Sequence, residues 1–191
     1  MSEQTIRVRM NGIDRWLQRR RITQALRWVP PGASVLDVGC ADGSLFRQAR
    51  SVIKSGIGVD TDQPSEWPSG PYEFRLGEFP EAVDASGPYD AVAMLAVIEH
   101  VTSGVRKNWA AVVPKLLKPG GRLIITVPAP VVDRILDISI RFRLLHGMDA
   151  EHHHGFDPRV VPQEFAIPPM RLLRASRFEL GLNHLFVFER T

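Results

Sequence analysis

The feature that most limits how this chain can fold is the stretch Val35-Leu36-Asp37-Val38-Gly39-Cys40-Ala41-Asp42-Gly43. A short apolar run contains an acid, then gives way to a small-residue turn, after which Ser44-Leu45-Phe46 opens a helical stretch. That order reads as a buried parallel strand that stops where a ligand can approach bare backbone. Gly39 and Gly43 supply room in the turn, and Asp42 is placed to accept from free N–H groups of the new helix. A second apolar run, Ile57-Gly58-Val59-Asp60, also ends in an acid. A carboxylate there lies beside the first turn and suits the two hydroxyls of a ribose.

What is missing narrows the ligand. A dinucleotide fingerprint wants glycine at the positions of Gly39, Ala41 and Ser44, and only the first fits. A pyrophosphate gains nothing from Asp37 inside the strand, whereas a cationic group such as the ammonium of an amino acid does. A molecule with an α-amino group at one end and a ribose at the other is S-adenosylmethionine. On these residues, and on the order of segments from about Val35 to Val127, the chain resembles the class I S-adenosylmethionine-dependent methyltransferases. The resemblance implies an α/β fold, a Rossmann-like doubly wound seven-stranded sheet, mostly parallel, with an antiparallel C-terminal hairpin strand.

The pattern along the chain agrees, because strand and helix signals alternate. A leading helix over Ile13–Val29 stops at Pro30-Pro31-Gly32, and strands follow near 34–38, 56–59, 72–76, 89–95 and 122–127. Helices are expected near 44–51 and 105–117, the second closed by Lys118-Pro119-Gly120-Gly121. Two late strands, 172–180 and 184–189, are joined by Gly181-Leu182-Asn183, a link short enough for an antiparallel hairpin. The 191 residues suit one domain, with residues 1–31 as a leading basic segment and 128–170 as a lid or substrate insertion.

Net charge is only +3, but seven arginines from Arg7 to Arg27 crowd the N-terminal segment. They fit a solvated helix face or attraction to an acidic, phosphorylated or membrane-surface partner. Cys40 is the single cysteine, so no internal disulfide forms, which suits a reducing compartment. With no signal-like start and no uninterrupted apolar span, a cytoplasmic protein is expected.

The resemblance also implies roles at the cofactor site. Asp37 with the backbone at Gly39, Cys40 and Ala41 would hold the methionyl end. Asp60 would take the ribose hydroxyls with Thr61 beside it. Gly77-Glu78-Phe79 follows the third strand, where Glu78 or a neighbouring amide would read the adenine amino group. Phe79 either covers the adenine ring or packs in the core.

The fourth strand and its exit run Leu95-Ala96-Val97-Ile98-Glu99-His100-Val101, and Leu95 would border the cofactor. The segment lacks the Asn/Asp-Pro-Pro-Tyr tetrapeptide of base and amide N-methylation. It also lacks the nucleophilic cysteine of cytosine C5 enzymes and the glutamate pair of protein-arginine enzymes. It resembles the small-molecule methyltransferases, including quinone-type O-methyltransferases. Some of these hold a divalent metal through a Glu-Glu-His set in this loop. Here Ala96 takes the place of one ligand, so a metal is allowed but not expected to be essential. In-line alignment supplies much of the rate of methyl transfer. A hydroxyl acceptor gains from a base, and His100, with Glu99 beside it, is the candidate. The alternative role for His100 is to hold its loop.

The insertion opens with the apolar, arginine-interleaved stretch Val131–Leu145, read as a lid helix packed on the domain or on a second subunit. His146 follows, then His152-His153-His154, so four of the six histidines lie together. They read either as an exposed loop or as a polar pocket wall, with His146 as a further catalytic candidate. The expected activity is methylation of a small or medium acceptor, at a hydroxyl of a sugar, phenol, quinol or lipid-like metabolite. An RNA methyltransferase gripping phosphates through the N-terminal arginines, and a non-catalytic S-adenosylmethionine-binding module, are the alternatives. The partner is then a small molecule rather than nucleic acid. A homodimer through the apolar stretch and peripheral membrane contact remain open.

Overall fold

The computed structural model describes residues 12–64, 66–83, 87–129 and 156–191. Helix α1 (Gly12–Leu26) precedes β1 (Ala33–Val38), α2 (Ser44–Gln48), β2 (Ile53–Asp60), β3 (Tyr72–Leu76) and β4 (Tyr89–Leu95). Then come α3 (Ser103–Leu116), β5 (Leu117–Pro128), α4 (Val160–Phe165), β6 (Met170–Phe178) and β7 (Asn183–Arg190). The strands form one seven-stranded sheet in the order β3-β2-β1-β4-β5-β7-β6. Neighbours from β3 through β5 pair in parallel, while β7 is antiparallel to both β5 and β6. β7 alone therefore runs against the rest, and the short link over residues 179–182 joins it to β6 as an antiparallel hairpin.

Both faces of the sheet are covered, which is why its central strands read as apolar runs rather than alternating ones. On one face Leu36, Val92, Leu123, Ile125 and Phe188 pack under Trp109 and Val113 of α3 and Val161 and Phe165 of α4. On the other, Val35, Ala91, Ala93, Ile124 and Val187 pack under Ile22 and Ala25 of α1 and Leu45 and Phe46 of α2. Ile22, Ala25, Leu26 and Val29 fall at a spacing that turns one side of the second half of α1 and its exit toward the sheet. Thr102 caps α3 by accepting from the Val105 N–H at 3.4 Å.

Several boundaries differ from the sequence reading. β5 begins at Leu117, which pairs with Tyr89, and regular pairing resumes only at Ala91 with Arg122. Lys118-Pro119-Gly120-Gly121 thus bulges out of a strand instead of preceding it, with Gly120 at φ 74°. Residues 160–165 fall within the segment expected as an insertion. They form α4, whose Val161 and Phe165 belong to the core. The apolar stretch Val131–Leu145, His146 and the triple histidine lie outside the described residues. Among the described residues, no helix is long and apolar enough to cross a membrane.

Candidate cofactor and active site

The turn after β1 is built by backbone bonds that only small residues permit. The N–H groups of Gly39 and Cys40 both donate to the Val59 carbonyl at the end of β2, at 2.8 and 3.1 Å, and Gly43 donates to Cys40. Gly39 sits at φ 71°, and a Cβ there would lie 2.4 Å from Val97 Cγ2. Ala41 is also left-handed, at φ 45°. Gly43, at φ 73°, is the residue that caps α2, and the Asp42 carboxylate one position earlier accepts from the Ser44 N–H at 3.1 Å.

The acid ending β2 is locked to this turn. Asp60 Oδ2 accepts from the Ala41 N–H at 2.7 Å and Oδ1 from the Asp62 N–H at 2.9 Å. Thr61 is exposed next to it. The end of β3 joins in, because the Gly77 N–H donates to the Asp60 carbonyl at 2.8 Å. Glu78 is exposed beyond it.

Asp37 is buried at the end of β1, and burial, then the charges of Asp60 and Asp42, pushes its carboxyl well above the usual range. Three carboxylates thus converge on one turn. Such a site is costly to leave without a cation and receives one readily. The cavity here is about 280 Å³ and is bordered by Asp37, Gly39, Cys40, Ala41 and Leu95. These are five of the residues read from the sequence as cofactor-binding. Cys40 turns its thiol toward Gly58, where a Cβ would lie 2.8 Å from the sulfur. Burial and the nearby acids push that thiol far up, so it acts as a packed small residue rather than a nucleophile.

One expectation is corrected. Phe79 is only 5% exposed and packs edge-on against Trp109 at 5.3 Å, with the Trp109 indole N–H donating to the Phe79 carbonyl. Its ring belongs to the core and is not available to an adenine. Other wall residues were not singled out from the sequence. Gln18 and Arg21 of α1, together with Ser44 and Ala96, border the same cavity. Trp67, from the loop between β2 and β3, donates its indole N–H to the Ala41 carbonyl at 2.9 Å and stacks on Phe74 at 5.0 Å. Gln18 and Arg21 look like any solvated helix positions, and only the docking of α1 brings them here.

At the exit of β4, Ala96 adopts φ 58° while its N–H donates to the Thr126 carbonyl. A single helical turn, Ile98–His100, follows, with Ile98 buried, Glu99 half-buried and His100 exposed. Arg106 secures this segment. Its Nη1 donates to the Val101 carbonyl at 2.6 Å, its Nε to Glu164 of α4 at 2.7 Å, and its guanidinium lies 5.0 Å over the Phe156 ring. Among the described residues, no three His, Cys, Asp or Glu side chains cluster as a metal site.

A glycine turn with converging acids, at the carboxyl ends of the parallel strands β1, β2 and β4, is the form of site that binds a nucleoside in α/β enzymes. A family model described as a methyltransferase domain matches residues 12–165. The chain belongs to this family, the class I methyltransferases that draw their methyl group from S-adenosylmethionine. No curated protein matches the chain in sequence.

Solved structures share the fold at low identity. The N-methyltransferase NodS from Bradyrhizobium japonicum, in complex with S-adenosyl-L-homocysteine, has a TM-score of 0.63 and 15% identity over 99% of this chain and 93% of its own. The 1,6-didemethyltoxoflavin-N1-methyltransferase of Burkholderia thailandensis reaches 0.68 and 18%, over 94% of this chain and 82% of its own. The cyclopropane synthase MmaA2 of Mycobacterium tuberculosis reaches 0.65 and 15%, over 98% and 87%.

Proposed function

We propose that this enzyme methylates a hydroxyl group on a small or medium-sized acceptor. The observation that carries the reading is the pairing of a cavity bordered by Asp37 with an exposed histidine on the segment that leaves its wall at Ala96. S-adenosylmethionine supplies an already activated methyl on a cationic sulfur, so the chain's own task is to hold, align and deprotonate. Asp37 and the backbone at Gly39 and Ala41 hold the amino-acid end, and Asp60 takes the ribose hydroxyls. His100 accepts the proton of the attacking hydroxyl, a step that general bases accelerate by about 10²–10⁴-fold. Arg106 anchors the end of the His100 segment through the Val101 carbonyl, and Glu99 would support the base. By the family resemblance, Glu78 or a neighbouring amide would read the adenine amino group.

The test is an acceptor panel of phenols, quinols, sugar hydroxyls, primary amines and carboxylates, read by S-adenosylhomocysteine release. Turnover on hydroxyl acceptors is expected. Turnover confined to amines or carboxylates would overturn the choice of oxygen while leaving the cofactor assignment intact.

A further inference from the structure

Among the described residues, Leu180 is the large apolar side chain left most fully in water, at the tip of the link between β6 and β7. The backbone bends unfavourably to put it there. Glu179 and Leu180 are both left-handed, at φ 53° and 56°. Consecutive non-glycine residues in that region cost backbone energy and persist where the surroundings over-determine them. Here they do. The Leu182 N–H donates to the Glu179 carbonyl at 3.0 Å, and the Ala129 N–H donates to the Leu182 carbonyl at 2.8 Å, which ties the link to the end of β5. The Glu179 side chain is 2% exposed and turns inward, where Asn183 Nδ2 donates to its Oε2 at 2.5 Å. The acid of the link is withdrawn from the surface and the leucine is presented on it.

Helix α1 lies against this link. Arg21 Nε donates to Asn183 Oδ1 at 3.2 Å, and Arg20 Nε lies 4.0 Å from Glu179 Oε1. One helical turn earlier Trp16 is 53% exposed, with the Arg20 guanidinium 5.8 Å from its ring centre. Trp16, Arg20 and Leu180 are thereby joined into one surface. Arg15 and Arg19 are exposed beside the indole, and Arg177 is exposed three residues before Leu180. Along α1 four arginines stand against a single acid, Asp14. The surface lies at the cavity's edge of the sheet, because β7 starts opposite Pro128 at the end of β5, and α1 borders the cavity through Gln18.

Charge sets the sign of what this surface receives, and the apolar tip sets its kind. Guanidinium groups match phosphate geometry, and an indole suits the level of lipid headgroups. An aliphatic tip gains where it leaves water for hydrocarbon. A single-stranded nucleic acid would use the arginines, but its bases stack on rings and give a leucine no such partner. We propose that this face docks on an anionic lipid bilayer, with Leu180 and Trp16 entering the interface and the surrounding arginines pairing with headgroup phosphates. Docking of this kind requires neither a spanning helix nor a bound cofactor, so it stands apart from the choice of methyl acceptor.

Vesicle flotation with the full chain tests it, using phosphatidylcholine alone and phosphatidylcholine mixed with phosphatidylglycerol. The protein should float with the mixed vesicles and not with the neutral ones, and added salt should release it. Leu180→Gly removes the leucine and relieves the left-handed strain, so its melting temperature should hold or rise. Its partition onto mixed vesicles should nevertheless fall about tenfold. Arg15→Gln and Arg19→Gln should each lower partition about fivefold, with S-adenosylhomocysteine affinity unchanged. Equal partition onto the two vesicle types, partition onto neither, or a Leu180→Gly variant that floats like the parent would overturn the proposal. Retention of a single-stranded RNA oligonucleotide without flotation would also overturn it and assign the arginines to a nucleic acid.

Discussion

The carboxylate of Asp60 accepts a 2.7 Å hydrogen bond from the backbone N–H of Ala41, so the acid ending β2 is fixed to the turn ending its neighbour β1. An ionised carboxylate offers about four acceptor sites. Its bonds to Ala41 and Asp62 orient it and leave capacity for ribose hydroxyls.

Removing that acid should therefore be felt in binding first. Hydrogen bonds to charged groups are worth about 1.5–3 kcal/mol each. Asp60→Ala should weaken S-adenosylhomocysteine at least tenfold in calorimetry, with the circular dichroism spectrum retained. Unchanged affinity would remove the ribose role.

Asp37 should trade stability for binding. Burial, reinforced by Asp60 and Asp42, raises its folded-state pKa above the ordinary carboxylate value, so the folded protein holds this proton more tightly than the unfolded chain. Stability then declines as pH rises from the unfolded pKa to the folded one, and stays lowered above it. Asp37→Asn removes that decline. The ligand-free variant should match the parent below about pH 4 and exceed it increasingly as pH rises from the unfolded pKa toward the folded one, with no further gain above that. A gain of about 1 kcal/mol corresponds to a melting temperature higher by about 2–4 °C. S-adenosylhomocysteine affinity should fall at least tenfold. A variant with no gain at any pH would contradict the buried-charge account.

Gly39→Ala should be costly for two separable reasons. The left-handed conformation alone costs a non-glycine residue about 1–2 kcal/mol. The added methyl would also collide with Val97 Cγ2 at 2.4 Å. Denaturant melts should show a larger loss for Gly39→Ala alone than for Gly39→Ala in a Val97→Ala background. Equal losses in the two backgrounds would mean that Val97 moves aside freely.

His100→Ala should lower turnover on a hydroxyl acceptor by about 10²–10⁴-fold with cofactor affinity nearly unchanged. Activity should survive EDTA. If EDTA abolished turnover and magnesium or manganese restored it, Glu99 and His100 would be better read as metal ligands than as base and support.

Much of the framework was legible because its signals are local. The β1 turn, the acid ending β2, the exit of β4 and the hairpin before β7 each carry their own residues in one short stretch. The helix expected from residue 105 begins two residues earlier, at Ser103. What escaped depends on partners far along the chain. Leu117 joins β5 because Tyr89 pairs with it across a bulge, which no local pattern announces. α4 is short and carries Pro162 in its first turn, and its place in the core comes from Val161 and Phe165 meeting α3 and the sheet. Phe79 looks the same in sequence whether it covers a ligand or packs on Trp109. Arg21 and Trp67 reach the cavity turn only through the docking of a helix and the folding back of a loop.

The burial of the one thiol has a chemical consequence. Cys40 sits in the turn that borders the cavity, yet its sulfur packs on Gly58, and burial with the surrounding acids pushes its thiol far up. Alkylating agents and peroxides attack thiolates, and this group forms almost none. The one thiol of this turn is therefore chemically quiet toward electrophiles. A cysteine introduced at an exposed position such as Leu180 would carry a spectroscopic label with no competing reaction at the site.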